Sequence, residues 1–262
     1  MPQPRAPLDL AAAWQRLGLS PLVLVLTLFV LLAGLRIYGY FGSDLFQGPP
    51  IMIGFVLMWL LPFLFLSNYG REQIGFGRKI ALKWILVALL SGAVLASLCH
   101  FLGLALYGKG EQNWFVSVAY TYQSDERIAL LDRHVAYIIF TIPAIIASPI
   151  GEEIFFRGMI EQSKRDSWSP PQCALLSATL FALVHLVHHG VYRGYNGIEF
   201  MPTAGTIWFG LMLVSSLAFS YLKQKGGSIW IPITAHAGFN LAMNTYIFYS
   251  LFVTQPQTLP AS

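Results

Sequence analysis

Residues 148–158 read Ser-Pro-Ile-Gly-Glu-Glu-Ile-Phe-Phe-Arg-Gly. They lie inside a run, 134–160, that otherwise has the composition of a membrane helix. A charged side chain at the centre of such a helix costs about 2.5–3.5 kcal/mol on insertion scales, so Glu152, Glu153 and Arg157 need partners or a task at that depth. Neighbouring helix positions point to different faces, whereas positions i and i+4 share one. Arg157 follows Glu153 by four residues and is placed to pair with it. That pairing leaves Glu152 with no obvious compensating cation and free to face a cavity. A carboxylate without a cation in a low-dielectric site is a good proton acceptor, as a general base must be. The plainer alternative is a buried Glu–Arg pair that fixes helix packing. It suits Glu153 and Arg157 well and Glu152 poorly.

Working outward, the whole chain resembles this segment. Of its 262 residues 56% are hydrophobic and only 11% are charged, against about 25% charged in soluble domains. An all-α integral membrane protein is expected, a polytopic bundle of about seven transmembrane helices. The apolar segments are 20–41, 50–68, 80–107, 134–160, 171–190, 203–222 and 228–252, judged against the ~20 residues that a crossing needs. They leave no room for a soluble domain, so 1–262 reads as a single membrane domain. The first span continues past Arg36 to Phe41 without a small-residue cleavage site and reads as a retained helix rather than a signal peptide. Residues 8–17 suit a short interfacial helix before it. Residues 108–133 mix charges with Trp114, Phe115, Tyr120 and Tyr122 and read as an extramembrane connection lying at the interface. Cys99 and Cys173 fall in apolar segments with no metal or disulfide spacing and read as small hydrophobes.

The net charge of +4 does not suggest nucleic-acid binding, because Lys and Arg sit in short loops, where they set topology. With the N-terminus in the cytoplasm, that side holds Arg5, Arg16, Arg71, Arg78, Lys79, Lys83, Lys164, Arg165, Lys223 and Lys225. The other side holds Lys109, Arg127, Arg133 and Arg193. This asymmetry predicts N-in and C-out. From the predicted cytoplasmic ends, Glu152 lies roughly 12–18 Å deep, His185 roughly 20 Å and His236 roughly 12 Å, at about 1.5 Å per residue. Three segments distant in sequence thus bring polar groups to overlapping depths.

Their chemistry leaves alternatives open. His185 follows Phe181 by one helical turn. A lone histidine in an apolar helix is more often a packing residue, and His188 and His189 read as marking a helix end. His236 and Asn240 share a face that Asn244 extends. That face suits interhelical hydrogen bonding or a donor array for an oxyanion. Glu152, His185 and His236 suit a zinc site with an open position for water, although there is no His-Glu-x-x-His run. They equally suit a metal-free site, with Glu152 activating a water held by His185 while His236 and Asn240 stabilise the tetrahedral oxyanion. Pro143 and Pro149 would kink the first of these helices. A small transporter is disfavoured, since the acidic and imidazole groups that would form a relay fall in the C-terminal half without a repeat.

Three motifs stand in order: Glu152-Glu153-x-x-x-Arg157, Phe181-x-x-x-His185 and His236-x-x-x-Asn240. Together they resemble the CPBP family of intramembrane proteases, which includes CAAX prenyl endopeptidases and bacteriocin-immunity (Abi) proteins. The resemblance implies a catalytic core over 134–252 and a first three helices without a recognised motif. It makes Glu152 the residue that activates water, Glu153 and Arg157 its support, His185 a holder of that water, and His236 with Asn240 the transition-state stabilisers. The metal-free glutamic mechanism is favoured, so no cofactor is expected, with zinc as the alternative. The implied substrate is a membrane-anchored protein or peptide in the lipid bilayer, cut at a C-terminal tail or sorting signal, and the expected location is a bacterial inner membrane. The competing reading is a non-catalytic membrane binding or immunity protein on the same scaffold.

Overall fold

The computed structural model describes residues 6–42, 49–123, 131–194 and 197–251. Arg5, Asp125, Glu126, Arg127, the side chain of Arg193 and the last predicted helical position, 252, lie outside that set. In chain order the elements are α1 (Ala12–Arg16), α2 (Pro21–Phe41), α3 (Pro49–Phe65), α4 (Asn68–Ile74), α5 (Leu82–Tyr107), α6 (Trp114–Gln123) and α7 (Arg133–Glu153). A π-helical segment (Ile154–Ile160) continues α7. Then come α8 (Pro170–His185), a hairpin of β1 (Val191–Gly194) and β2 (Gly197–Phe200), α9 (Pro202–Gly226), and α10 (Trp230–Tyr246), which a second π segment (Ile247–Leu251) continues.

The chain is an integral membrane protein dominated by helix. Among the described residues four helices are long and apolar enough to cross a bilayer: Pro21–Phe41, Leu82–Tyr107, Arg133–Ile160 and Pro202–Gly226. Helices α3, α8 and α10 coincide with the other three predicted spans but have 17, 16 and 17 residues, short of a full perpendicular crossing before any extension. Local chemistry sets several boundaries. Proline occupies the first turn of α2, α8 and α9, where its missing N–H leaves no bond unmade. Asp132 caps α7 by accepting from the backbone N–H groups of His134 (2.8 Å) and Val135 (3.3 Å). Those two bonds hold its carboxyl below the usual carboxylate range.

Small residues decide how the bundle closes. Helix α10 packs most extensively on α5 and next on α7. At the α5 seam, a Cβ on Gly92 would stand 1.8 Å from the carbonyl oxygen of Ala235, and one on Gly238 would stand 2.4 Å from that of Leu89. Backbones this close admit only glycine, as small-residue helix crossings in membranes do. The opposite face of α5 exposes Leu82, Leu86, Leu90, Val94 and Leu98, an i,i+4 stripe suited to lipid.

Three expectations change. Residues 108–133 are not simply a surface connection: they contain α6, whose Trp114 and Phe115 are fully buried. Trp114 donates to the Cys99 carbonyl at 3.1 Å and stacks on Trp208. Leu8 and Leu10, expected at a lipid interface, are buried in protein. Their segment is pinned by an isolated β-bridge from Leu10 to Leu66 and by Trp14 Nε1 donating to the Leu64 carbonyl at 2.8 Å. Helix α7 runs through Pro143 and Pro149 without a break. In that stretch Asn240 Nδ2 donates to the Ala144 carbonyl at 2.8 Å and Trp59 Nε1 to the Ala147 carbonyl at 2.9 Å, so neighbouring helices supply donors to the proline-bearing backbone.

Candidate active site

Glu152 and Glu153 are the last two residues of α7, and Arg157 lies in the π segment that follows. All three are fully buried. π-helical turns are rare and gather at functional sites. Here side chains from two neighbours reach the segment's carbonyls: Ser177 Oγ donates to Phe156 at 2.8 Å and Lys223 Nζ donates to Arg157.

Glu153 faces the closed side. Its Oε1 lies 3.0 Å from Arg157 Nη1, the i,i+4 pair read from sequence, and also accepts from His236 Nδ1 at 2.8 Å. Arg157 Nη2 donates to Ser216 Oγ at 2.7 Å. Its guanidinium lies 4.3 Å from the Phe181 ring centroid and 5.4 Å from that of Phe219, within cation–π range of both.

Glu152 faces other partners. Its Oε2 accepts from Ser148 Oγ at 3.3 Å and lies 3.9 Å from His185 Nε2 and 3.7 Å from His236 Nε2. Those two separations exceed hydrogen-bond length. They would let a single water, about 2.8 Å from each atom, bond Oε2 and an imidazole together. The far nitrogen of each ring is occupied. His185 Nδ1 donates to the Phe181 carbonyl at 2.7 Å, and His236 Nδ1 donates to Glu153. In a neutral ring that leaves Nε2 as a bare acceptor aimed at the Glu152 side. The helices α7, α8 and α10 therefore do bring Glu152, His185 and His236 together.

The sequence reading of Glu152 as an unpaired carboxylate is corrected here. Arg36, on α2, places Nη1 2.5 Å from Glu152 Oε1. Arg36 also donates through Nη2 to His188 Nε2 at 2.7 Å. A guanidinium can only donate, so His188 Nε2 accepts and its Nδ1 carries the proton, which goes to Tyr40 Oη at 3.0 Å. His188, expected merely to mark a helix end, is part of this network, and its ring stacks on His185 at 5.2 Å. The first three helices thus contribute Arg36 and Tyr40. One signal was legible: Arg36 is a charge within an apolar span, the same anomaly that singled out Glu152. His189 instead bonds Ser117 at 2.8 Å, away from the cluster.

A cavity of about 230 Å³ opens beside these groups. Arg36, Tyr40, His185, His188, His236 and Asn240 supply polar lining, and Ile51, Met52, Phe55, Trp208 and Met243 are among its apolar walls. Glu152 itself does not line it, contrary to expectation. It lies behind Arg36, Ser148, His185 and His236, which do. Asn240 stands on the wall with one amide N–H already given to Ala144, leaving its second N–H and its carbonyl oxygen. Asn244 is occupied further along, accepting from Tyr122 at 3.0 Å and donating to Thr141 at 3.2 Å.

Comparison with known proteins agrees with this segment. Residues 134–242 match the family model described as type II CAAX prenyl endopeptidase Rce1-like. A Bacillus subtilis (strain 168) protein bearing the name "Putative membrane peptidase YdiL" is 24% identical over 211 residues, covering 77% of this chain and 70% of that protein. No solved structure matches the chain. The matched segment contains the three motifs in full and excludes Arg36 and Tyr40, and over that segment the chain is similar to the type II CAAX prenyl endopeptidases.

Proposed function

We propose that this protein is an intramembrane endopeptidase that hydrolyses a peptide bond of a membrane-anchored protein or peptide, with Glu152 as the general base. The observation that carries the reading is the convergence of His185 Nε2 and His236 Nε2 on Glu152 Oε2 beside a mostly apolar cavity. In this scheme a water bridges Glu152 and His185. Glu152 takes its proton as the oxygen attacks the carbonyl carbon, and the developing oxyanion is met by His236 and the free N–H of Asn240. Donation from His236 Nε2 belongs to the ring form that carries both protons, since Nδ1–H is held by Glu153. Glu152 then returns its proton to the leaving amine. Glu153 and Arg157 orient His236 without touching the reacting atoms. A core spanning 134–252 within one membrane domain, a C-terminal tail or sorting signal as the cleaved element, and a bacterial inner membrane with N-in, C-out topology complete the proposal.

The donor set does not suit zinc. Among the described residues Glu152 is the carboxylate facing both imidazoles, Arg36 occupies its Oε1, and a guanidinium at that distance repels a divalent cation. Among the described residues no group of three His, Cys, Asp or Glu side chains is set to hold a metal ion. The steps above are therefore written through side chains alone.

The same Arg36–Glu152 contact is the observation that favours the second reading, a non-catalytic binding protein, because a base held by a guanidinium is not free to take a proton. Co-expression with the host's membrane proteins, wild type beside Glu152→Gln, with mass spectrometry of new protein termini, separates the two. Termini present only with wild type establish the protease. Their absence, with the cellular phenotype kept by folded Glu152→Gln, establishes the binder.

A further inference from the structure

We propose that Arg36 is a positioning residue for the hydrolysis. It fixes Glu152 through Oε1, so that Oε2 is the oxygen presented to take the proton, and His188 with Tyr40 anchors it for that task. This rests on the protease reading and deepens it, because it assigns part of the active site to α2, outside the segment that carries the three motifs.

Four observations carry the assignment. Among the described residues Arg36 is the arginine or lysine paired with Glu152, with Nη1 bonded to Oε1 at 2.5 Å. A carboxylate offers two equivalent oxygens, and a short charge-assisted bond to one of them removes that equivalence and limits how the group can turn. The oxygen left over is also the useful one. Oε2 stands 3.9 Å from His185 Nε2 and 3.7 Å from His236 Nε2, a span that one bridging water fits. Third, Arg36 is itself held. Its Nη2 donates to His188 Nε2 at 2.7 Å, and its Cζ lies 5.5 Å from the Phe55 ring centroid. His188 is fixed in turn by Tyr40 Oη at 3.0 Å and by stacking on His185, with ring planes 11° apart. Arg36 and Tyr40 are i and i+4 on α2, so one helix face grips His188 twice. Finally, the pair is dry: Glu152 is fully buried and Arg36 is 6% exposed, so bulk water neither screens the contact nor competes for it.

The contact persists through the proton transfer. An O–H bond of the attacking water breaks, an Oε2–H bond forms, and Oε1 becomes the carbonyl oxygen of a carboxylic acid, which still accepts from Nη1. The negative charge passes from Glu152 to the oxyanion within the same site, so Arg36 keeps a counter-charge nearby. When Glu152 gives its proton to the leaving amine, the carboxylate is restored in its original orientation. A guanidinium on Oε1 is therefore compatible with a base that works through Oε2, and Arg36 acts without touching the reacting atoms.

The test is chemical rescue, with the full chain in nanodiscs and, as substrate, the membrane protein whose new termini mark wild-type cleavage. Arg36→Ala should lower kcat by about 10²-fold, the scale of a reacting group misplaced by an ångström, with KM little changed. Because Arg36 lines the cavity, methylguanidinium in the buffer can reach the space left behind and should restore kcat by about tenfold or more, a fraction of that loss. Methylammonium, a cation without the planar fork, and urea, a planar donor without the charge, should not. An arginine that only supports packing predicts no such discrimination. Arg36→Lys covers the case in which Arg36→Ala does not fold: it keeps a cation beside Glu152 but loses the fork, and kcat should still fall by about tenfold or more. Wild-type kcat in Arg36→Lys, a change confined to KM, a folded Arg36→Ala that methylguanidinium does not rescue, or rescue by methylammonium that is just as full each overturns the proposal. Failure of the protease reading looks different: wild type then generates no new termini at all, and this assignment falls with it.

Discussion

Glu152 and Glu153 are adjacent in the chain and equally buried, yet their surroundings differ. On the Glu153 side an arginine, a histidine and two phenylalanine rings close on one another, and the arginine is four residues away on the same helix. On the Glu152 side the cation comes from α2, 116 positions earlier. The two nearest imidazoles there stop short of contact, and the neighbours open onto a cavity. A local pair, closed in by His236 and two aromatic rings, builds a platform. A distant, single-oxygen pair stands beside a cavity instead. One step along a helix thus separates a carboxylate locked into packing from the one to which the proposed mechanism gives the chemistry.

The sharpest way to break that contrast is Arg157→Met. It strands Glu153 in the core, and loss of one partner of a buried pair costs about 3–5 kcal/mol. The expected result is little monodisperse protein by size-exclusion chromatography at ordinary growth temperature. A well-folded Arg157→Met would show that the platform is not where stability lies. Next is Glu152→Gln, which keeps an oxygen for Arg36 but leaves its charge uncompensated, so a lowered melting temperature should accompany a loss of about 10²–10⁴-fold in cleavage by the folded protein, the usual weight of a general base. Retained cleavage would move the chemistry elsewhere. Asn240→Ala should lower kcat by about 10²–10³-fold if its free N–H meets the oxyanion, with KM little changed. A change confined to KM would make it a binding residue. The smallest effect is expected for Tyr40→Phe, which removes one hydrogen bond from His188, worth about 1 kcal/mol. A modest loss of activity should follow, whereas unchanged activity would separate Tyr40 from the function of the Arg36–His188 network.

Much of this was legible in the chain because membrane burial makes charge conspicuous. The seven apolar segments fall on α2, α3, α5, α7, α8, α9 and α10, and the Glu153–Arg157 pair follows from helical spacing alone. The convergence of Glu152, His185 and His236 was anticipated by depth. What stayed hidden depended on contacts between distant segments. Arg36 stands out as a charge within α2, but nothing in its sequence neighbours names Glu152 as its partner. Helix α6 was masked by the charges around it, although Trp114 and Phe115 are core residues. The hairpin at 191–200 (β1 paired with β2) is too short for hydropathy to reveal.

The glycine seam between α5 and α10 also bears on where the chemistry is aimed. Helix α10 carries His236 and Asn240, while α5 lends no side chain to the cavity lining. Because the Gly92 and Gly238 backbones interlock with the carbonyls of Ala235 and Leu89, α10 can neither slide nor roll without a steric collision, and His236 and Asn240 inherit that fixed height and azimuth. Helix α5 acts as a reference rail against which the rest of the site is aligned, so a methyl group added at Gly92 would detune the site from a face the substrate never meets.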